Sequence, residues 1–231
     1  MLADDAWIGH NSRMTRPVLL WWGIGAILAA IVVGIVVTGP IAPAIDSGWN
    51  ALMVDVRGPF LIGAAGVLDR IGGGWIASYL IPLVILAALL LARRWRAAIF
   101  VAATLLVSVA AVQLLKGMFA RARPESMLVT SDFGSFPSGH TANAATLATL
   151  AVLLLPRLWV LIVAIAWTLA MALSRTVVSA HWLSDTIGGM LIGTGVTLVM
   201  AGFVLTWARS RGAQPDLPRA EPDLPRAEPG A

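Results

Sequence analysis

Ser138, Gly139 and His140 open a long Ala/Leu-rich stretch, in the run Phe136-Pro137-Ser138-Gly139-His140-Thr141, and together have the makings of an anion cradle. A serine hydroxyl caps a helix start, a glycine lets a ligand approach the backbone, and the free N–H groups and helix dipole favour a phosphate. His140 then stands beside that anion, ready to move a proton. Further along, His181 and Asp185 are four residues apart, so on a helix they share a face and can pair. Lys116 is the only lysine among sixteen basic residues, and Arg123 and Arg175 supply further fixed charge near these groups. Each has a plain structural use when taken alone. A Ser-Gly start can be only a cap, Lys116 and Arg175 could anchor helix ends among headgroups, and Arg121 and Arg123 could belong to a solvated loop.

Membrane helices carry these residues. The chain of 231 residues is 58% hydrophobic and 12% charged, with a mean hydropathy of +0.85. Ordinary soluble domains are about 25% charged, so the composition is that of an integral membrane protein. The formal charge of +4 is then a matter of topology rather than of a nucleic-acid surface. There are no cysteines, which excludes disulfides and thiolate metal sites.

The apolar pattern predicts six spans. The first runs from Pro17 to about Thr38; its apolar core exceeds the roughly 7–15 residues of a signal peptide, so it reads as an uncleaved span. Residues 39–72 mix Asp46, Asp55, Arg57, Asp69 and Arg70 into apolar sequence and read as an external segment with a short interfacial helix. Further spans are expected at about 74–92, 97–115, 138–156, 158–173 and 181–207, the last with Gly189 and Gly193 suited to close packing. This divides the chain into a cytoplasmic tail at 1–16, a six-helix membrane domain at 17–208 and a tail at 209–231. The heptapeptide Asp-Leu-Pro-Arg-Ala-Glu-Pro occurs twice in that tail, at 216–222 and 223–229, a composition that predicts disorder.

Six spans put the N-terminus, the Arg93–Arg96 cluster, Arg157 and Arg209/Arg211 on one side, which the arginine excess marks as cytoplasmic. The long polar loop at 116–137 is then outside. Four helix ends meet at that outer face, carrying Lys116 and Arg123, then Ser138 to His140, then Arg175, then His181 and Asp185. The separate structural uses do not explain why two of the three histidines, an aspartate and three cations gather at one level.

These residues fall into three groups: Lys116, six residues, Arg123-Pro124; Pro137-Ser138-Gly139-His140; and Ser174-Arg175, five residues, His181, three residues, Asp185. The arrangement resembles the three-part signature of the type 2 phosphatidic acid phosphatase family of membrane lipid phosphatases, with no departure at a signature position. The resemblance implies an all-α polytopic fold with an extracytoplasmic active-site face, in a bacterial inner (plasma) membrane. It also implies hydrolysis of a phosphate or diphosphate monoester on a membrane lipid, without metal or other cofactor, through a phosphohistidine. Lys116, Arg123 and Arg175 would hold the phosphoryl oxygens, with Ser138 and the Gly139 N–H adding hydrogen bonds. His181 would attack phosphorus, Asp185 would fix its tautomer, and His140 would protonate the leaving oxygen and help activate water. Pro124 and Pro137 would shape the loop.

Two other readings share these residues. Vanadium haloperoxidases resemble the family in the same anion-binding positions, and a non-catalytic lipid-phosphate binder could be built on the same fold. Polyprenyl diphosphate, phosphatidylglycerol phosphate and phosphatidic acid are the candidate substrates. No nucleic-acid partner is expected, and the oligomeric state is open.

Overall fold

A computed structural model describes residues 15–39, 44–131 and 133–209, and all regular secondary structure in them is helical. The helices are α1 (Arg16–Thr38), α2 (Ala44–Val56), α3 (Pro59–Gly72), α4 (Ile81–Leu91), α5 (Trp95–Phe119), α6 (Gly139–Leu154), α7 (Leu158–Val177) and α8 (Leu183–Arg209), with a π-helical turn at Ile76–Leu80 before α4. Residues 1–14 and the repeat-bearing tail from 210 onward lie outside the described residues.

Among the described residues, five stretches are long and apolar enough to cross a membrane: Arg16–Thr38, Pro59–Leu91, Trp95–Phe119, Leu158–Val177 and Leu183–Arg209. The remaining long apolar helix, α6, has 16 residues. At 1.5 Å per residue it rises only about 24 Å, short of the roughly 30 Å of a hydrocarbon core. Large apolar side chains such as Trp21, Trp22, Leu91 and Leu106 are exposed on the outside of the bundle, as lipid-facing positions should be.

The segment at 39–72 departs from expectation. In place of one short interfacial helix there are two helices, and α3 continues through the π turn into α4, so that the predicted second span begins at Pro59 rather than near residue 74. Pro59 suits the first turn of a helix, where its missing N–H would have no partner anyway. Pro82, in the first turn of α4, lacks the N–H of an ordinary helical ladder, and the π turn lies immediately before it. Two of the charges in this segment are engaged within the protein, while Asp55 and Arg70 are exposed. The Arg57 Nη1 donates to the Ser126 carbonyl and the Ser179 hydroxyl, both at 3.1 Å, and Asp69 turns into the protein.

Helix α8 is the spine. Gly195 and Gly23 bring α8 and α1 together: a Cβ on Gly195 would stand 2.9 Å from the Gly23 carbonyl oxygen, and one on Gly23 would stand 2.8 Å from that of Gly195. On its other side Gly189 and Gly193 admit α6, where a Cβ on Gly189 would lie 2.6 Å from the Ser138 carbonyl oxygen. Water-excluded helices gain little from hydrophobic burial against one another, so close backbone approach supplies the packing contacts instead. One core cluster joins Leu19, Phe100, Val101, Leu150, Leu153 and Leu205. A second, nearer the start of α6, joins Ala30, Val112, Leu115, Ala142, Ile192 and Val196.

Candidate active site

Helix α5 carries Lys116 one turn from its end, with the side chain buried. Ala120 closes the helix in the left-handed region (φ 44°), donating its N–H to the Lys116 carbonyl at 2.9 Å. The chain then loops through Arg121 and Arg123 and returns at Gly134, whose φ of +74° is left-handed and whose Cβ, were there one, would crowd the Lys116 carbonyl at 3.2 Å. This return is held by the Arg123 Nη2, which donates to the Gly134 carbonyl at 2.9 Å, and by the Ser135 N–H to the Arg121 carbonyl at 2.9 Å.

Phe136, behind a cis bond to Pro137, is fully buried and meets Phe119 edge to face at 5.3 Å. Ser138 is the N-cap of α6, as expected. Its hydroxyl accepts from the Thr141 N–H at 3.5 Å and from the Thr141 hydroxyl at 3.1 Å, while its own N–H donates to the Asp185 carbonyl at 2.9 Å. At Gly139 a Cβ would meet only Val112 Cγ1, at 3.8 Å, so no neighbour fills the space beside that backbone.

His181 lies in the connection between α7 and α8 and is buried. Its Nδ1 stands 2.8 Å from the Ser135 carbonyl oxygen. A carbonyl can only accept, so in the neutral ring Nδ1 carries the proton and Nε2 the lone pair. The other end agrees: Arg123 Nη1 lies 3.2 Å from Nε2, and a guanidinium can only donate. Asp185 was expected to set this tautomer, but its Oδ2 is 3.6 Å from Nδ1, within ion-pair range and too long for a hydrogen bond. Its carboxylate is taken by other donors: the Trp182 N–H at 2.8 Å, Arg121 Nη1 at 2.5 Å, and the Ser135 hydroxyl. Burial pushes the His181 pKa below the ordinary imidazole value; Asp185 opposes this and the charges of Arg123 and Lys116 reinforce it.

His140 and Arg175 meet on the other side of the site. Arg175 is almost wholly buried; its Nη1 pairs with Asp69 Oδ1, its Nη2 donates to the Ala65 carbonyl at 3.4 Å, and its Nε donates to the Ser174 hydroxyl at 3.2 Å. The same Asp69 oxygen is 3.1 Å from His140 Nε2. Arg175 and His181 lie within electrostatic reach of the His140 ring, and Lys116 and Arg123 within reach of His181. The expected set of Lys116, Arg123, Ser138, Gly139, His140, Arg175, His181 and Asp185 thus comes together around the start of α6. Among the described residues no group of three or more His, Asp or Glu side chains is placed to share a metal ion.

Four contributors were not singled out from sequence: Ser135, Arg121, Asp46 and Asp69. Asp46 of α2 is buried, accepting from the Ser184 N–H at 2.9 Å, the Ser184 hydroxyl at 2.5 Å and Arg121 Nη2 at 2.7 Å. Arg121 therefore bridges Asp46 and Asp185, with its guanidinium 5.4 Å over the Trp182 ring. The available signal was a set of carboxylates inside otherwise apolar segments, which in a membrane protein implies partners within the protein.

The PAP2 superfamily, as a family model, matches residues 97–209. A lipid A 1-phosphatase of Rhizobium johnstonii is 35% identical over 99 residues, covering 38% of this chain and 40% of that protein. The chain thus spans about two fifths of the length of that curated relative. The crystal structure of a transmembrane PAP2 type phosphatidylglycerolphosphate phosphatase from Bacillus subtilis has a TM-score of 0.70 at 24% identity, over 79% of this chain and 96% of that one. The crystal structure of Aquifex aeolicus LpxE gives a TM-score of 0.58 at 23% identity, over 71% of this chain and 96% of that one. At such identities these two similarities speak to the fold.

Proposed function

We propose, from the match of residues 97–209 to the PAP2 superfamily and from the geometry of the site, that the chain hydrolyses a phosphate or diphosphate monoester carried by a membrane lipid. The observation that carries this reading is the presentation of His181. Its Nδ1 faces the Ser135 carbonyl and its Nε2 faces Arg123, a pairing that suits a neutral ring with the lone pair on Nε2, among the cations that would bind a phosphoryl group.

The steps follow from that geometry. Lys116, Arg123 and Arg175 hold the phosphoryl oxygens with the N–H groups at the start of α6, and neutralise charge as it builds. His181 Nε2 attacks phosphorus, the bond from phosphorus to the leaving oxygen breaks, and that oxygen takes a proton from the His140 imidazolium. A water then attacks the phosphohistidine and gives its proton to neutral His140. Inorganic phosphate leaves, and both rings return to their starting forms. Asp185, held by Arg121, Ser135 and Trp182, stabilises the positive charge that His181 acquires. Charge neutralisation rests on protein cations, so the reaction is metal-independent.

The substrate belongs to the class that the relatives' names describe, lipid A 1-phosphates and phosphatidylglycerol phosphate. Polyprenyl diphosphate and phosphatidic acid share its chemistry. The site faces the extracytoplasmic side of a bacterial inner membrane. Phosphate release from this lipid panel in detergent tests the proposal, run with a chelator, with vanadate, and with halide and peroxide. Release that survives the chelator and stops with vanadate supports it. Halide oxidation without phosphate release, or activity that needs added magnesium, overturns it.

A further inference from the structure

Asp69 has no place in the three-part signature, yet one of its oxygens touches both Arg175 and His140. Two features of α3 make this contact more than a chance approach. Gly72 and Gly73 follow Asp69 by one turn, and a Cβ on Gly73 would fall inside contact distance of His140 Nε2, while one on Gly72 would collide with Met171 Cε. The end of α3 is therefore a bed pressed against the His140 ring, and only glycine permits the approach. The ring nitrogen Nε2 is buried without a well-directed hydrogen bond among the described residues, and the Asp69 carboxylate is the charged group beside it. Contacts of this kind in ligand-free sites are often off line and tighten in the complex.

Resting on the phosphatase reading, we propose that Asp69 is a positioning residue for His140, passed to it by Arg175 when the phosphoryl group binds. A buried guanidinium needs a counter-charge while the site is empty, and Asp69 supplies it. An entering phosphate dianion takes over that duty at Arg175. Asp69 is then left with His140 alone, where it holds Nε2–H and favours the imidazolium. Nδ1 is thereby the nitrogen that gives its proton to the leaving oxygen and later takes one from water, while Nε2–H stays on the carboxylate. The two histidines each have a carboxylate beside them, His181 that of Asp185 in the first turn of α8 and His140 that of Asp69 in α3.

Asp69→Asn, Asp69→Glu and the wild type in detergent separate this from a structural role. Turnover of an alkyl phosphate by Asp69→Asn should fall roughly 10²-fold, the low end of general-acid help. An aryl phosphate, whose leaving anion needs no proton, should lose far less. Inhibition by inorganic phosphate should become tighter, because the carboxylate no longer competes for Arg175. Asp69→Glu should recover part of the alkyl-phosphate rate. Retained aryl-phosphate turnover also reports that the variant is folded. Equal losses on both substrates, no loss on either, or weaker phosphate inhibition would overturn the role of Asp69 while leaving the phosphatase reading intact. A wild type that hydrolyses neither substrate would overturn both.

Discussion

His181 is held between an acceptor and a donor, and that pairing gives its two nitrogens different duties. In the proposed mechanism only the neutral ring can attack, so activity should require the unprotonated form. Burial lowers its pKa, which extends the neutral form toward acid. The acid limb of kcat/KM against pH should therefore lie below the ordinary imidazole value of about 6.5. The sign for stability is the same: an unfolded chain would take up this proton at higher pH than the folded one, so stability falls as pH drops through that window. A limb at or above 6.5 would contradict the assignment. The histidines should also separate by substrate. His181→Ala should abolish turnover of every substrate, whereas His140→Ala should lose roughly 10²–10⁴-fold on an alkyl phosphate and much less on an aryl phosphate. Equal losses in His140→Ala would mean that it is not the leaving-group acid.

At the level of elements, the site depends on how α8 seats α6. A Cβ on Gly193 would run into the Ala142 carbonyl oxygen, and the backbone there cannot give way without moving α6 and the Ser138 cap with it. Gly193→Ala should cost about 1–3 kcal/mol, the usual range for overpacking. Gly25→Ala, where no atom lies within 4 Å, should be nearly neutral. Thermal unfolding in detergent compares the two, and an equal effect would contradict the packing account. The signature residues stood out in the sequence because lysine and histidine are rare in so apolar a chain and fall, with Ser138-Gly139, into three spaced groups. Asp46 and Asp69 were not, because a carboxylate in an apolar stretch has no meaning until its partner is known. Those partners, Arg121 and Arg175, lie 75 and 106 residues away. The same ambiguity bore on the start of the second span: Asp69 counts against α3 as a membrane helix only while it is imagined facing lipid. The Ser135 carbonyl could not be read at all, since every residue has one.

Across the whole molecule, the end opposite the site is tied by arginines. The Arg209 Nη2 donates to the Leu153 carbonyl at 2.7 Å, capping the end of α6, and Arg16 Nη2 donates to the Phe203 carbonyl at 2.9 Å. The Arg96 guanidinium lies 5.2 Å from the Trp95 ring and 5.7 Å from the Trp207 ring, an arrangement suited to a membrane interface. This end should face the cytoplasm. Because the chain has no cysteine, single cysteines at 131, 157 and 211 can be labelled in intact cells with an impermeant thiol reagent. Label at 131 alone is expected, and label at 157 alone would reverse the orientation. A phosphoryl group bonded to His181 is the step on which the mechanism turns, and rapid-quench trapping with a radiolabelled lipid phosphate, in the presence of a chelator, would reveal it. A labelled, acid-labile and alkali-stable histidine is expected at position 181 and should be absent from His181→Ala; turnover with no trapped label, or label persisting in His181→Ala, would rule the phosphohistidine out.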